Sequence, residues 1–157
     1  MIVTTDIKQT TISKKISLNG VGLHTGKDVT LTFVPSTADI GYVFKRVDLK
    51  NSPTIQADIK YVSSTDRGTC LNKNGLIIQT CEHVLAALVG SEIDNVIIEL
   101  NESEPPIMDG SAKFFVDALK KAGVKQLDAK RREFIVKRVI CFLLYCLKLV
   151  LLFCLQW

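Results

Sequence analysis

The chain has 157 residues, 47% hydrophobic and 23% charged, which suits a globular protein of one domain with at most the start of a second. Its 20 Lys and Arg residues exceed its 16 Asp and Glu residues by only four, and they are scattered, which argues against a nucleic-acid partner. The five cysteines show no metal-type spacing and are odd in number, so a disulfide framework is not expected.

The first 15 residues contain no apolar h-region of the secretory type, so we expect a cytoplasmic location. Alternating apolar and polar positions then predict several short strands. These lie around Ile12 to Leu18, at 29–33, at 42–47 and at 55–59. Residues 76–79 and 95–100 are more continuously apolar, which predicts strands covered on one or both faces.

Two helices are predicted. The first has Thr80 as its N-cap and ends at Gly90. Its apolar side comprises Val84, Leu85, Leu88 and Val89. The second begins near Ser111, stops at Gly123 and buries Phe114, Phe115, Ala118 and Leu119. This order of elements predicts an α+β fold, a two-layer domain in which a mixed sheet packs on two helices.

The last 18 residues, "ICFLLYCLKLVLLFCLQW", have Lys148 as their only charge. Their length and composition are of the transmembrane type, and basic residues precede them as in a positive-inside anchor. These basic residues are Lys130, Arg131, Arg132, Lys137 and Arg138. The alternative is a translated out-of-frame or truncated gene end, so this apolar tail is either a membrane segment or an aberrant end.

Glu82 and His83 lie side by side in the predicted first turn of the first helix. The helix dipole disfavours an imidazolium there, so His83 should stay neutral, the state that binds metal. A histidine ligand beside a glutamate base is the chemistry of zinc hydrolases. On the residues alone, however, a capped helix start with solvated side chains is the commoner origin of such a pair. A catalytic zinc also needs three protein ligands, and the chain offers only one other histidine, His24.

His24 lies in "GVGLHTG", residues 20–26, among three glycines. Such a loop either admits a phosphate or sugar or is a hairpin turn with a hydrogen-bonded histidine, and the residues alone favour the hairpin. Cys70 and Cys81 have no recognisable base partner and are expected to be buried apolar residues rather than nucleophiles.

Four separated stretches occur in order: "GVGLHTGKDVTLTF", "TDRGTCL", "TCEHVLAALVGSEIDNVIIEL" and "EPPIMDGSAKFFVDAL". In order and spacing they resemble the N-terminal part of the UDP-3-O-acyl-N-acetylglucosamine deacetylases, zinc hydrolases that commit Gram-negative bacteria to lipid A synthesis. The resemblance spans about residues 7–138. "FKRVDL" and "DRGT" are closest to the form fused to a 3-hydroxyacyl-carrier-protein dehydratase, of which this sequence shows no part.

The resemblance implies one half of a two-domain enzyme, in which helices are sandwiched between two sheets and the site lies at the domain junction. It implies that Glu82 is the general base, that His83 is a zinc ligand, and that Leu23 and His24 line the substrate region. Residues 65–69 match the loop beside the zinc, and no role is assigned to them. The family's other ligands, a histidine and an aspartate of an HxxxD helix, and its general-acid histidine belong to the second domain.

These inferences divide the chain into a deacetylase domain at 1–128, the start of the missing second domain at 129–140 and the apolar tail at 141–157. The leading hypothesis is Zn²⁺-dependent hydrolysis of the N-acetyl group of a UDP-sugar lipid precursor, with the 157-residue chain inactive alone. The alternative function is a membrane-tethered, non-catalytic binding module that contacts the membrane through the tail. A third interpretation is a gene remnant whose product does not accumulate folded.

Overall fold

The computed structural model describes residues 1–135. Their strands and helices, in chain order, are β1 (Ile2–Ile12), β2 (Ile16–Val21), β3 (Asp28–Pro35), β4 (Tyr42–Arg46), β5 (Thr54–Gln56), a 3₁₀ helix (Ile59–Tyr61), β6 (Val62–Ser64), β7 (Cys70–Lys73), β8 (Leu76–Ile78), α1 (Glu82–Gly90), β9 (Val96–Leu100), α2 (Lys113–Ala122) and β10 (Val124–Phe134).

The described residues divide into two compact units, residues 1–8 with residues 130–135, and Gln9–Ala129. In the first unit, the Thr5 hydroxyl donates to the carbonyl of Arg131 at 3.2 Å, and Lys130 pairs with Asp6 at 2.8 Å. The second unit contains β2 to α2 and every residue of the candidate site. The sequence-based boundary at 128–129 falls within β10, and that division into domains stays a prediction.

The main sheet of the second unit has five strands in the order β2-β3-β9-β4-β5. Strand β9 runs antiparallel to β3, with Ile98 opposite Phe33, and parallel to β4, with Ile98 opposite Phe44. All three of these side chains are fully buried. The sheet is therefore mixed, as the sequence predicts, and β9 is covered on the face that carries Ile98. Strands β6, β7 and β8 form a separate antiparallel sheet.

Both helices contribute to the same hydrophobic core as the main sheet. Helix α1 buries Val84, Ala87 and Leu88, and α2 buries Phe115, Ala118, Leu119 and Ala122. Burial of these apolar side chains is the main source of stability, at about 25 cal/mol per Å² removed from water. The predicted α+β class, a mixed sheet with two helices, is confirmed.

Several details of the helix predictions are wrong. Thr80 is not the N-cap of α1: the cap position is Cys81, without a side-chain cap bond, and Thr80 has a left-handed backbone with φ 49°. The predicted end of this helix at Gly90 is confirmed, because Gly90 is the last residue of α1. Phe114 is 44% exposed and Val89 is 39% exposed, because the buried stripe of each helix is narrower than its apolar sequence.

The strand predictions also need correction at their ends. Ile59 lies in the 3₁₀ helix and is 88% exposed, and Val47 follows β4 and is 43% exposed. Strands β1 and β10 are long and mostly polar, so apolar alternation did not predict them over 2–11 and 124–134. Among residues 1–135, no helix has the length and apolarity to cross a bilayer, and the tail at 141–157 lies outside the described residues.

Adjacent phenylalanines on α2 provide a matched test of this packing. Phe115→Ala should lower the free energy of unfolding by about 3–5 kcal/mol, because it leaves a cavity in the core. Phe114→Ala should lower it by about 1 kcal/mol or less, because its side chain is already half in water. Urea denaturation followed by circular dichroism measures both, and equal losses would contradict the placement of α2.

Candidate functional site

Glu82 is the first residue of α1, and its carboxylate is held by the preceding loop. The backbone amide of Thr69, between β6 and β7, donates to Oε2 at 2.9 Å. Oε1 lies beside Gly68, where an ideal Cβ would be 3.4 Å away. The helix dipole favours a carboxylate at a helix N-terminus, so the first turn of α1 is a suitable position for this side chain. The structure thus brings the 65–69 loop to the glutamate that sequence analysis singled out.

His83 is the second residue of α1 and is half-buried. Within residues 1–135, no group of three His, Cys, Asp or Glu side chains is close enough together to hold a metal ion. A catalytic zinc site needs three protein ligands. The described residues by themselves therefore do not fit a zinc centre, and His83 with Glu82 is at most part of one.

Cys81 immediately precedes this pair and is fully buried. Its thiol donates to the Thr69 carbonyl at 3.4 Å. Burial, assisted by the negative charge of Glu82, raises the pKa of the Cys81 thiol to about 12. The side chain is therefore a neutral core residue at physiological pH. The expected burial is confirmed for Cys81 but is wrong for Cys70, which is half-buried.

Leu23 and His24 lie in the turn between β2 and β3, residues 22–27, which we call the 22–27 loop. The two strands are antiparallel neighbours. Two backbone hydrogen bonds of 3.0 Å close the loop: the Gly22 amide donates to the Lys27 carbonyl, and the Gly26 amide donates to the Gly22 carbonyl. The hairpin that the residues alone favoured is confirmed. Both Leu23, which is 53% exposed, and His24 point into solvent.

Sequence analysis missed Glu104, whose carboxylate joins the 22–27 loop to the segment before α1. Glu104 is fully buried. The backbone amides of His24 and Thr25 donate to its Oε2 at 3.0 and 2.9 Å, and the Thr80 hydroxyl donates to its Oε1 at 2.8 Å. One side chain thus connects the loop of His24 to the residue two positions before Glu82.

The environment of Glu104 favours its anion. Burial alone would raise the pKa of Glu104, but hydrogen bonds from the Thr25 amide, the Thr80 hydroxyl and the His24 amide outweigh burial and lower it below 4.5. A buried carboxylate is tolerated because its oxygens accept these bonds. Glu104 is therefore ionised at neutral pH.

Two glycines let the segment that carries Glu104 approach the hairpin. A Cβ at Gly22 would lie 2.7 Å from Glu104 Oε2, and one at Gly20 would lie 2.8 Å from Pro106 Cβ. The Ile107 amide donates to the Val21 carbonyl at 2.9 Å, which ties the same segment to β2. Larger residues at either glycine would push the segment away.

No local pattern could have identified Glu104. It stands in "ESEPP" beside Glu102, a partly exposed glutamate that pairs with Lys27 at 3.1 Å. The two glutamates are alike in sequence, and only the tertiary contact buries one of them. The prolines after it were a signal for a fixed loop, but they do not show what that loop contacts.

Comparisons with known proteins agree with the motifs. A profile of the family "LpxC: UDP-3-O-acyl N-acetylglycosamine deacetylase" matches residues 9–144. The UDP-3-O-acyl-N-acetylglucosamine deacetylase of Blochmanniella floridana is 45% identical over 136 residues, which are 85% of this chain and 46% of the relative. The bifunctional enzyme LpxC/FabZ of Bacteroides thetaiotaomicron is 43% identical over 136 residues, 87% of this chain and 30% of the relative. The chain therefore spans less than half of either relative.

The environment of Cys81 can be tested by alkylation. At pH 8, a thiol of pKa about 12 is ionised in roughly one molecule in ten thousand, so iodoacetamide should modify Cys81 at least about 100-fold more slowly than the half-buried Cys70. Peptide mapping by mass spectrometry measures both rates. The rates should converge in 6 M guanidinium, and equal rates in the native chain would contradict the assignment.

Glu104 should make stability depend on acidity. Its folded-state pKa is lowered, so its contribution is fully present above 4.5 and is lost as pH falls through the folded-state value. Glu104→Gln should therefore be less stable than wild type at pH 7, with a gap that shrinks in acid, as measured by urea denaturation. Glu102→Gln is the matched control. A gap that stays constant with pH would contradict the lowered pKa.

Proposed function

Because the chain belongs to the UDP-3-O-acyl N-acetylglycosamine deacetylase family, we propose that it forms the N-terminal part of an enzyme that removes the N-acetyl group from a UDP-sugar carrying a 3-hydroxyacyl chain. The observation that carries this proposal is the carboxylate of Glu82, anchored by Thr69 at 2.9 Å and next to His83 at the start of α1. The activity is proposed for the intact protein, because the chain spans only 30–46% of the relatives compared.

Glu82 is the proposed general base. Its anion takes a proton from water as the water oxygen attacks the acetyl carbonyl carbon. The carbon–nitrogen bond then breaks as the sugar nitrogen gains a proton from a general acid, which the family resemblance assigns to the second domain. Glu82 returns its proton to solvent, and the products are acetate and a free amine. The Thr69 amide supports this role, because it fixes one carboxylate oxygen and so limits the orientations of the other.

His83 is the proposed contribution of this chain to a zinc site. A zinc ion, when bound, would supply a water of lowered pKa, and the remaining ligands would come from outside the residues that the structure describes. The partial burial of His83 and its place beside Glu82 in the first turn of α1 support the assignment.

Leu23 and His24 are the proposed substrate contacts. Both side chains are exposed on the 22–27 loop, and Glu104 links the backbone of that loop to Thr80 before α1. A loop fixed at its backbone with solvent-facing apolar and imidazole groups suits contact with an amphiphilic sugar lipid. The proposal also keeps the cytoplasmic location expected from the sequence.

The isolated 157-residue chain is proposed to be inactive, because one histidine and one glutamate bind zinc weakly. Purified chain should contain far less than one zinc per molecule by elemental analysis and should release no acetate from the UDP-sugar substrate. Tight stoichiometric zinc together with turnover would refute the proposed inactivity while leaving the family assignment in place.

A chimera tests the role of Glu82. Residues 9–135 replace the matching part of the Bacteroides thetaiotaomicron enzyme, which supplies the rest of the protein. In an active chimera, Glu82→Gln should lower kcat about 10²–10⁴-fold with little change in KM, because it removes a proton acceptor and keeps the shape of the side chain.

Glu102→Gln in the same chimera is the matched control, since it removes a partly exposed carboxylate that pairs with Lys27. It should leave kcat within about twofold. An active chimera in which Glu82→Gln is no more harmful than Glu102→Gln would exclude Glu82 as the general base.

A further inference from the structure

Two segments that carry proposed functional residues meet on a single buried carboxylate. Glu104 accepts hydrogen bonds from the amides of His24 and Thr25, which lie in the 22–27 loop. It also accepts one from the hydroxyl of Thr80, which lies in the segment before α1. The loop and α1 are separated by more than 50 positions of sequence, and the chain between them forms β3 to β8. The carboxylate is thus a direct link between distant parts of the chain.

On the helix side, this link holds an unfavourable backbone conformation. Thr80 has φ 49°, in the left-handed region that a β-branched residue rarely adopts. Such a conformation persists only where the surroundings fix it. Two hydrogen bonds of 2.8 Å fix this conformation. One runs from the Thr80 hydroxyl to Glu104, and the other runs from the Gln79 amide to the Ser103 carbonyl.

The consequence extends to the site because Thr80 stands directly before the first turn of α1. Rotation at Thr80 would redirect the chain at Cys81, and with it the side chains of Glu82 and His83. The hydrogen bond from the Cys81 amide to the Thr69 carbonyl is 3.4 Å long, so it restrains the chain less than the two hydrogen bonds of 2.8 Å.

On the loop side, the link is equally close. The two amides converge on one carboxylate oxygen, a charge-assisted arrangement that is stronger than a neutral bond. Gly22 has no room for a side chain because the Thr25 hydroxyl oxygen and Glu104 Oε2 both occupy that space. The loop backbone is therefore built around the carboxylate.

We propose that Glu104 is a positioning residue that couples the 22–27 loop to the start of α1, so that His24 stays in a fixed placement relative to Glu82 and His83. The proposal rests on the proposed function only in assigning those three side chains to the reaction. The coupling itself is a property of the folded chain and is testable without zinc or substrate.

The experiment is an acid titration of the full 157-residue chain, followed by backbone amide chemical shifts. In wild type, the amides of His24 and Thr25 report protonation of Glu104, and the amide of Thr80 should shift with the same midpoint. Thr80→Val keeps the shape of the side chain and removes its hydroxyl. It should move the midpoint seen at His24 and Thr25 to higher pH, because the anion loses one donor.

Matched variants separate coupling from general destabilisation. Thr80→Ser restores the hydroxyl and should return the midpoint toward the wild-type value. Glu102→Gln, which removes the Lys27 pair on the neighbouring glutamate, should leave the midpoint unchanged. Glu82→Gln, which removes the carboxylate that accepts a hydrogen bond from the Thr69 amide, should preserve the response of His24.

The proposal is overturned if Thr80→Val leaves the loop midpoint in place, or if the amides of the loop and of Thr80 shift with separate midpoints in wild type. Either result would leave the deacetylase proposal intact, because that depends on the kcat of the chimera. An inactive Glu82→Gln chimera would likewise support the deacetylase proposal without bearing on Glu104.

Discussion

The burial of the Glu104 anion is the constraint on which the candidate site depends. A charge in the protein interior is tolerated only where hydrogen bonds replace its hydration, and here two amides and a hydroxyl do so. Those donors come from both sides of the site. The same interaction that satisfies the carboxylate therefore fixes the 22–27 loop and the backbone before α1.

The five-stranded sheet makes this arrangement reachable. Strand β9 lies at its centre, between β3 and β4, and the chain leaves β9 into the segment that carries Glu104. Because β2 and β3 form a hairpin beside β9, that segment passes directly by the 22–27 loop. The absence of side chains at Gly20 and Gly22 allows the contact, so a packing constraint and an electrostatic one coincide.

Residues 1–135 contain only some of the groups that the proposed chemistry needs. Glu82 is fixed by a backbone amide and His83 stands beside it, but residues 1–135 contain no complete metal site. This chain covers 46% and 30% of the two relatives compared, so the proposed base and the proposed ligand would lie in one part of a longer protein. Cys81, although adjacent, is excluded from the chemistry because burial keeps its thiol protonated.

The amino-acid sequence was enough to predict the fold class, the presence of both helices and the family. Apolar periodicity is a local property, so it identified α1, α2 and the strands that bury one face. The pair Glu82 and His83 was also recognisable from the sequence, because adjacent residues remain adjacent in the fold. The polar strands β1 and β10 gave no such signal.

Three features could not be predicted without the tertiary contacts. These are the burial of Glu104 in "ESEPP", the strained backbone of Thr80 in place of a helix cap, and the exposure of Phe114. Each depends on which distant segment lies nearby. Glu104 and Glu102 have the same side chain and almost the same neighbours in sequence, and they differ because one meets the amides of a hairpin more than 75 positions away while the other meets a surface lysine. Sequence patterns record local preference, whereas the desolvation of a charge is set by everything that surrounds it.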